Sequence, residues 1–504
     1  MKKTLSMVLA LVLMLSMTVT VPALAEDPVE LLWVPTVLNG STVYPSGDSF
    51  VAQKIDEMFN VKITVQEANS QNAQEMALMY TNKIIPDVNP IFPAYFWTYY
   101  DQGMFREIPM EMILEYAPTY YAFASSCINF DTMVSNVDGK IYGLPHTTND
   151  PPNLAVIRTD WLEKLGLSIP TTLEELEEVC RAFAEGDPDG NGQNDTWALA
   201  WGTKHTANFK WISAAFGLDT DYQVDENGQL VDNRVSENYK DYLKYIQKLY
   251  QAGYIYPDLT LPAKDNISEL LTNGTIGMFC DTYTWFMPLY RPSAYYARLF
   301  DQNPDAKTAY LAPFKNVYTG EPSTLQIGAQ AWQYTCIGKN TTDEQLIKIL
   351  QIIEAQCADD YVHNLIWRGE EGVHYILNED GMAVYTDEYA LLDDQQRAGL
   401  KTFFINARFG GQLVYSYGKE VGVQRAFIEE NYADLTEPHI PTNSYNEASL
   451  EYKADVDAIA DEFFMRALSS NMDIDAEWDA YVQEMNRAGL TEIMKEYNAL
   501  WTAE

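Results

Sequence analysis

The sequence is poor in the residues that build metal clusters, disulfide frameworks and nucleic-acid surfaces. Its 504 residues include five cysteines and five histidines, with no CxxC pair and no histidines at metal-site spacing. This excludes zinc-ribbon and thioredoxin motifs, and the odd cysteine count leaves at least one unpaired within the chain. Lysine and arginine number 33 against 72 acidic residues, a net charge of −39. Such a surface repels phosphate backbones, so we expect no nucleic-acid partner.

Catalytic sequence motifs are also missing. The chain holds no GxSxG, HExxH, Walker or GxGxxG pattern. Paired carboxylates could serve a glycosidase, but among 72 acidic residues such pairs arise by chance. We therefore expect a protein that is not an enzyme, and a secreted, calcium-stabilised glycosidase is the alternative.

One long apolar run is present, at the N-terminus. Two lysines precede an apolar stretch at residues 5–21, and Ala23, Leu24 and Ala25 follow it. A basic start, an apolar centre and a small-x-small end are typical of a secretory signal, so we expect residues 1–25 to be cleaved off. An uncleaved anchor helix is the alternative, because the run is nearly long enough to span a bilayer. No later stretch has this character, which predicts an exported, soluble mature chain.

Strand and helix patterns alternate along the rest of the chain. The segments VELLWVPTV, DSFVAQKIDEMFN, VKITVQEA, QNAQEMALMYTNKI and PDVNPIF predict the order β-α-β-α-β and hence a parallel sheet. A second α/β region begins near Val156, where Thr172 and Glu175 form a capping box. With no linker or internal repeat between the two regions, we expect two α/β domains joined by short crossings.

The segment DPDGNGQND (residues 187–195) matches the start of a calcium loop. Positions 1, 3, 5, 7 and 9 of such a loop, the seventh acting through its carbonyl, would be Asp187, Asp189, Asn191, Gln193 and Asp195. Gly192 takes the sharp turn, but Ala198 stands where a bidentate glutamate belongs, so another ligand would have to come from elsewhere. The pattern predicts a structural Ca²⁺ site, and an ordinary Asp/Gly turn is the alternative.

Aromatic residues are abundant, with 34 Tyr and 11 Trp. Aromatic faces stack on the C–H faces of sugar rings, and open α/β sheets bind ligands at the ends of their strands. Rings in polar surroundings near predicted strand ends are those of Tyr95, Phe96, Trp97, Trp211, Tyr283, Trp285 and Trp367. Burial in a core is the alternative for each ring, but as a group they favour a sugar-binding cleft.

Several segments taken in order resemble one protein family. They are DGKIYGLP (residues 138–145), VIRTDWLEKLGLSIPTTLEEL (156–176), DPDGNGQND, YLKYIQKLYQAGYIYPD, NGTIGMF, GEEGVHY (369–375) and the terminal YVQEMNRAGLTEIMKEYNALW. Together they resemble signatures of the extracellular solute-binding proteins of ABC importers, in particular the carbohydrate-binding family 1 type of Firmicutes. The resemblance covers nearly all of the mature chain. It implies an α/β, two-lobe periplasmic-binding-protein-like fold with the ligand cleft between the lobes.

The same resemblance implies lobe boundaries and ligand contacts. Lobe 1 would comprise residues 26–150 and 311–340, and lobe 2 residues 151–310 and 341–504. The calcium loop would be a structural clip in lobe 2, far from the sugar. The implied ligand contacts are Tyr95, Phe96, Trp97, Asn149, Asp150, His205, Trp211, Tyr283, Trp285, Trp332, Trp367 and His374.

The implied function is the capture of a carbohydrate, specifically an oligosaccharide, for uptake by an ABC transporter. The expected partners are the sugar and the permease subunits, and the protein is expected to be a monomer. A solute-binding protein for a non-sugar ligand such as a peptide is a further alternative. Many relatives from Gram-positive bacteria carry a lipobox cysteine, whereas Glu26 follows Ala25 here and the signal contains no cysteine. We therefore expect an exported protein, extracellular or in the cell envelope (the periplasm of a Gram-negative cell).

Overall fold

The computed structural model describes residues 27–37, 41–70, 72–127, 135–148, 154–200, 209–218, 221–258, 269–281, 295–323, 331, 333–379, 381–404, 407–408, 426–427, 430–431 and 444–501. The predicted signal at residues 1–25 lies outside them. The strands are β1 (Val29–Trp33), β2 (Val61–Val65), β3 (Val88–Ile91), β4 (Gly143–Thr148), β5 (Leu154–Arg158), β6 (Tyr222–Val224), β7 (Leu230–Asp232), β8 (Met278–Asp281), β9 (Thr308–Tyr310), β10 (Gln333–Ile337), β11 (Tyr375–Leu377), β12 (Ala383–Tyr385) and β13 (Ala407–Arg408).

Helices separate most of these strands. They are α1 (Phe50–Phe59), α2 (Ala73–Thr81), α3 (Pro93–Asp101), α4 (Met110–Tyr116), α5 (Pro118–Cys127), α6 (Thr159–Leu165), α7 (Leu173–Glu185), α8 (Lys210–Ser213), α9 (Glu237–Gln251), α10 (Tyr295–Gln302), α11 (Asp343–Ala358), α12 (Asp360–Arg368), α13 (Leu392–Arg397), α14 (Glu447–Ser469), α15 (Ile474–Met485) and α16 (Thr491–Trp501). None of the helices in this part of the chain combines the length and the apolar character of a membrane span.

Local capping explains where several helices begin. Ser49 accepts a hydrogen bond from the backbone of Ala52 at the start of α1. At α7 the Thr172 side chain accepts from the Glu175 backbone, as the sequence predicts. The Glu175 carboxylate, however, accepts from the backbone N–H of Thr171 at 2.7 Å, one residue before the expected position. The cap therefore fixes both the helix start and the turn that leads into it.

The first sheet has the strand order β13-β4-β10-β3-β1-β2. β1 pairs in parallel with β2 and β3, which confirms the parallel arrangement expected from the β-α-β-α-β pattern. β10 runs antiparallel to both β3 and β4, so β4 points in the same direction as β1 and β3. The second sheet, β8-β5-β9, is antiparallel. Two hairpins, β6-β7 and β11-β12, stand apart from both sheets.

The apolar residues form a core on each sheet. Around the first sheet, Leu31 and Ile63 of the strands pack with Leu346 and Ile353 of α11 and with Phe403. Around the second sheet, Ile157 packs with α7, α9 and the C-terminal helices α14 to α16. Each sheet thus holds its own buried cluster, as two lobes require.

This packing corrects two of the expected lobe boundaries. Residues 341–404 were expected in lobe 2, but the apolar faces of α11 and α12 are buried against the first sheet. Residues 311–340 were expected in lobe 1, but Leu311 and Phe314 are buried in the second core. In the described part of this segment, the chain rejoins the first sheet at Gln333. An amphipathic helix has an apolar face in either lobe, so its pattern does not reveal which sheet it covers.

Candidate functional site

One edge of the first sheet is the place where the chain passes between the two cores. β4 ends there at Thr148, β10 begins there at Gln333, and β13 ends there at Arg408. The register places Gln333 opposite His146, and Arg408 beside Thr148. Because β4 is parallel to β1 and β3, this crossing edge is also the carboxyl edge of the parallel strands. Ligands of open α/β sheets bind at such an edge, so the crossing edge is the candidate ligand site.

Aromatic side chains stand at the crossing edge, on the helix that follows β3. Tyr95 is 41% exposed, and the Trp97 ring is partly exposed and packs edge-on against Tyr445 at 5.4 Å. Phe96 is only 8% exposed because its ring packs against Phe105 and Tyr334. Tyr95 and Trp97 are therefore accessible to a ligand, whereas the expected contact through Phe96 is corrected to a core position.

The structure buries two of the predicted tryptophans in the lobe cores. Trp211 packs in the second core with its ring 5.4 Å from that of Phe314. Trp367 packs in the first core with its ring 4.5 Å from that of Phe404. The polar sequence around each ring gave no sign of the helix or loop that covers it. Both expected ligand contacts are therefore corrected to core positions.

His374 is also buried, beside the first residue of α1. Its ring lies 4.5 Å from the rings of both Phe50 and Tyr389. Its Nδ1 accepts a hydrogen bond from the backbone N–H of Glu370 at 3.1 Å. Burial lowers the pKa of His374, which keeps the imidazole neutral and able to accept this bond. His374 therefore fixes the turn after α12, and the expected ligand contact is corrected.

The remaining predicted ligand contacts lie outside the described residues. They are Asn149, Asp150, His205, Tyr283, Trp285 and Trp332. Their assignment to the cleft stays a prediction.

A buried polar group at the crossing edge was not among the predicted contacts. His146 of β4 is fully buried, and its Nε2 is joined to Thr335 Oγ1 of β10 by a hydrogen bond of 2.6 Å. Its ring faces Phe404 edge-on at 6.0 Å. Burial lowers the pKa of His146 to about 3, so the imidazole is neutral. The signal for this group was the polar residues inside the apolar strands GLPHTT and QYTCI.

A clamp near the crossing edge joins the two lobes. Asn136 accepts a hydrogen bond from the backbone N–H of Tyr445 at 2.7 Å and donates one to the Tyr445 carbonyl at 2.9 Å. The next residue, Asn446, is anchored in the second lobe: its amide donates to the carbonyl of Ile493 and accepts from the N–H of Ser449. Adjacent residues are thus held by different lobes, which is the arrangement of a hinge.

The loop at residues 187–195 gathers its side-chain oxygens at one place. The Asn191 amide donates to the carboxylates of Asp189 and Asp195 at 2.8 and 2.9 Å. Asp187 accepts from the backbone N–H groups of Gly190 and Gly192, and both glycines have positive φ angles, 78° and 79°. The pKa of Asp189 is raised, mainly by burial and in addition by the neighbouring carboxylates of Asp187 and Asp195.

These donors suit a hard, oxygen-binding cation such as Ca²⁺. The loop does not by itself make a complete metal site: among the described residues, no group of three or more His, Cys, Asp or Glu side chains is arranged to hold a metal ion. The oxygen donors that would hold Ca²⁺ are those of Asp187, Asp189, Asn191, Gln193 and Asp195. Calcium binding therefore stays a prediction, and the oxygen donors of the loop are compatible with it.

Known proteins with similar sequences belong to the family that the sequence resembles. The family model of the bacterial extracellular solute-binding proteins matches residues 51–360. The polygalacturonan/rhamnogalacturonan-binding protein YtcQ of Bacillus subtilis (strain 168) is 30% identical over 255 residues, which cover 48% of this chain and about half (47%) of YtcQ. The fructooligosaccharide ABC transporter substrate-binding protein FusA of Streptococcus pneumoniae serotype 4 (strain ATCC BAA-334 / TIGR4) is 23% identical over 431 residues, 77% of this chain and 74% of FusA.

Solved structures of similar proteins share the fold. The alginate-binding protein AlgQ2, crystallised without calcium ion, has a TM-score of 0.71 at 21% identity, covering 95% of this chain and 98% of AlgQ2. An EF-hand mutant of the S. pneumoniae protein FusA, in complex with fructo-nystose, has a TM-score of 0.69 at 18% identity, covering 94% of this chain and 99% of FusA. The α/β, two-lobe periplasmic-binding-protein-like fold expected from the sequence is confirmed.

Proposed function

Because this chain belongs to the bacterial extracellular solute-binding proteins, we propose that it captures an oligosaccharide outside the cytoplasm and delivers it to the permease subunits of an ABC transporter. The observation that carries the proposal is the accessible pair of rings, Tyr95 and Trp97, at the crossing edge. Rings at that edge offer stacking surfaces to sugars. The names of YtcQ and FusA, both of which bind glycans, support the same ligand class.

Binding would combine stacking on one lobe with enclosure by the other. Tyr95 and Trp97 would form the lobe 1 wall, and the predicted contacts Tyr283 and Trp285 would form the lobe 2 wall. Closure of the lobes would remove the sugar from water and strengthen its hydrogen bonds to the protein. Since no step of this cycle breaks a covalent bond, the protein would act as a carrier and not as an enzyme, and we propose that it does so as a monomer.

The charge of the chain narrows the ligand class further. A net charge of −39 makes the approach of a polyanionic glycan unfavourable. We therefore expect a neutral oligosaccharide to bind more tightly than polygalacturonate fragments of the same length. In addition, the loop at residues 187–195 would bind one structural Ca²⁺, a proposal supported by its oxygen donors and by the EF-hand named in the FusA structure.

A thermal-shift screen followed by calorimetry tests the proposed function. The screen would include neutral oligosaccharides of several linkages, polygalacturonate fragments and mixed peptides. A rise in melting temperature with neutral oligosaccharides, and 1:1 binding by calorimetry, is the expected result. A shift with peptides alone would contradict it. Chromatography of the bound sugar after long incubation should recover it intact, whereas shortened products would favour the glycosidase alternative.

A further inference from the structure

Gln333 carries a fully buried carboxamide at the crossing edge. Its side chain is 0% exposed, and neither Nε2 nor Oε1 has a hydrogen-bond partner in the described part of the protein. Buried amides normally have partners, because a buried polar group without one has lost its hydrogen bonds to water and gained none in return. An apolar side chain of the same size would avoid that loss. The carboxamide therefore points to a hydrogen-bond partner that is not among the described residues.

The strand register shows what surrounds this group. Gln333 lies directly opposite His146, and Thr335 follows two residues later on the same face of the sheet. His146 and Thr335 are hydrogen-bonded to each other, and the His146 ring also faces the apolar ring of Phe404. A neutral imidazole and a hydroxyl thus lie beside Gln333 on this face, and the imidazole packs against an aromatic ring. Such surroundings disfavour a bare ion and suit an uncharged polar group.

Gln333 is also the first residue of β10, where the chain arrives from the second core. A group that enters the cleft at the crossing edge would therefore reach this end of the strand first. A carboxamide offers donors at Nε2 and an acceptor at Oε1, and a hydroxyl offers one donor and two acceptor lone pairs. The two groups can satisfy each other within one small volume.

We propose that the Gln333 carboxamide binds a neutral hydroxyl group at the crossing edge, supplied either by the captured solute or by an ordered internal water molecule. If the solute supplies the hydroxyl, the inference rests on the proposed function, and Gln333 is a residue that determines specificity. If an internal water molecule supplies the hydroxyl, the inference does not depend on the proposed function. Both sources provide the same hydrogen-bond donor and acceptor. Removal of the carboxamide would lower ligand affinity in the first case and release an internal water molecule in the second.

The test replaces Gln333 with methionine, which has a similar length and no amide. If the solute supplies the hydroxyl, Gln333→Met should weaken binding of the tightest oligosaccharide from the screen about tenfold or more by calorimetry. The melting temperature of the ligand-free protein should be unchanged or higher, because an unpaired group has been removed. If water supplies it, affinity should be unchanged, and oxygen-17 relaxation dispersion of the ligand-free variant should count one long-lived internal water fewer than in the parent.

Gln396 provides the matched control. It is equally buried, but its Nε2 donates to the Thr36 carbonyl at 3.2 Å and to Thr402 Oγ1 at 2.7 Å. Gln396→Met should therefore lower the melting temperature and leave both the sugar affinity and the water count unchanged. Gln333→Glu, of the same size but without the amide donor, is a second variant and should weaken sugar binding if the solute is the source.

An unchanged affinity together with an unchanged water count in Gln333→Met would overturn the proposal. If the parent protein binds no oligosaccharide, the proposed function fails. The inference about Gln333 is then tested by the number of long-lived internal waters alone, which should be one fewer in ligand-free Gln333→Met than in the parent.

Discussion

At the scale of single residues, two positions show how burial controls chemistry in the first lobe. His146 is held neutral between Thr335 and Phe404. Gly369 lies against the ring of His374 with a φ of 83°, and a Cβ there would come within 2.5 Å of the imidazole. Neither constraint involves a charge or an exposed surface. Both follow from the space that neighbouring elements leave.

The buried His146 predicts an acid limit to stability. Its pKa is about 3 in the folded protein and about 6.5 in the unfolded chain, so below pH 6.5 the unfolded chain binds the extra proton. Stability is therefore lost as pH falls from 6.5 towards 3. The loss from this residue should be about 2 kcal/mol at pH 5. Urea unfolding at pH 7.5 and pH 5 should show a smaller acid loss in His146→Gln than in the parent, and equal losses would contradict the burial of a neutral imidazole.

The Gly369 position predicts a steric effect that can be separated from backbone strain. Gly369→Ala should destabilise the protein through both its positive φ and the clash with His374. Gly372 has a similar φ of 80°, but a Cβ added there would meet no other atom within 4 Å, so Gly372→Ala carries only the strain. By thermal melting, we expect Gly369→Ala to cost about 2 kcal/mol more than Gly372→Ala, a penalty typical of an overpacked site. Equal costs would show that the His374 ring moves aside.

At the scale of elements, the loop at residues 187–195 stands between the end of α7 and the segment that bridges Trp197 to Ile276 in the second lobe. Its own hydrogen bonds already set its shape, with the Asn191 amide between two carboxylates. A cation at the loop would replace this amide as the positive partner of the carboxylates. The loop would then tie α7 to the rest of lobe 2.

This arrangement predicts a calcium-dependent melting temperature. An ion that binds only the folded protein stabilises it by mass action, so chelation should lower the melting temperature. Asp189→Ala should abolish that response. Asp225→Ala is the control, because Asp225 accepts from the backbone of Asn227 and Gln229 in another acidic turn and should leave the chelator effect intact. A parent protein that melts alike with chelator and with millimolar calcium would show an ordinary turn.

At the scale of the whole molecule, the two cores are joined by the chain crossings and by the Asn136–Tyr445 clamp. The clamp fastens the start of α14, which belongs to the second core, to a turn of the first lobe. The Trp97 and Tyr100 rings lie against Tyr445, so the clamp also adjoins the proposed sugar-binding rings. Coupling between the lobes and access to the ligand site are therefore linked at one place.

The clamp predicts a loss of cooperativity. Asn136→Ala removes two hydrogen bonds between the lobes, each worth about 1 kcal/mol. We expect calorimetric unfolding to broaden or separate into two transitions, one for each core. Tyr445→Phe is the control, because it removes only the exposed bond from the Tyr445 hydroxyl to Asp101 at 3.3 Å and should change little. A single, unchanged transition in Asn136→Ala would show that the crossings alone couple the lobes.

Local patterns by themselves determined the α/β class, the order of strands and helices from β1 to β3 and the cap at Thr172. The cap and the helix and strand periodicities depend on hydrogen bonds and side-chain spacing between residues close in sequence, so the sequence carries them directly. The oxygen donors of the loop at residues 187–195 belong to the same class, since all of them lie within nine positions.

Only the tertiary structure decided which rings are exposed and which lobe each helix joins. Trp211, Trp367 and Tyr95 were all expected at the ligand site, yet the first two are covered by Phe314 and Phe404 and the third is exposed. The same holds for α11, whose apolar face could have covered either sheet. Burial depends on elements tens or hundreds of residues away, and no pattern around a residue records what will pack on it.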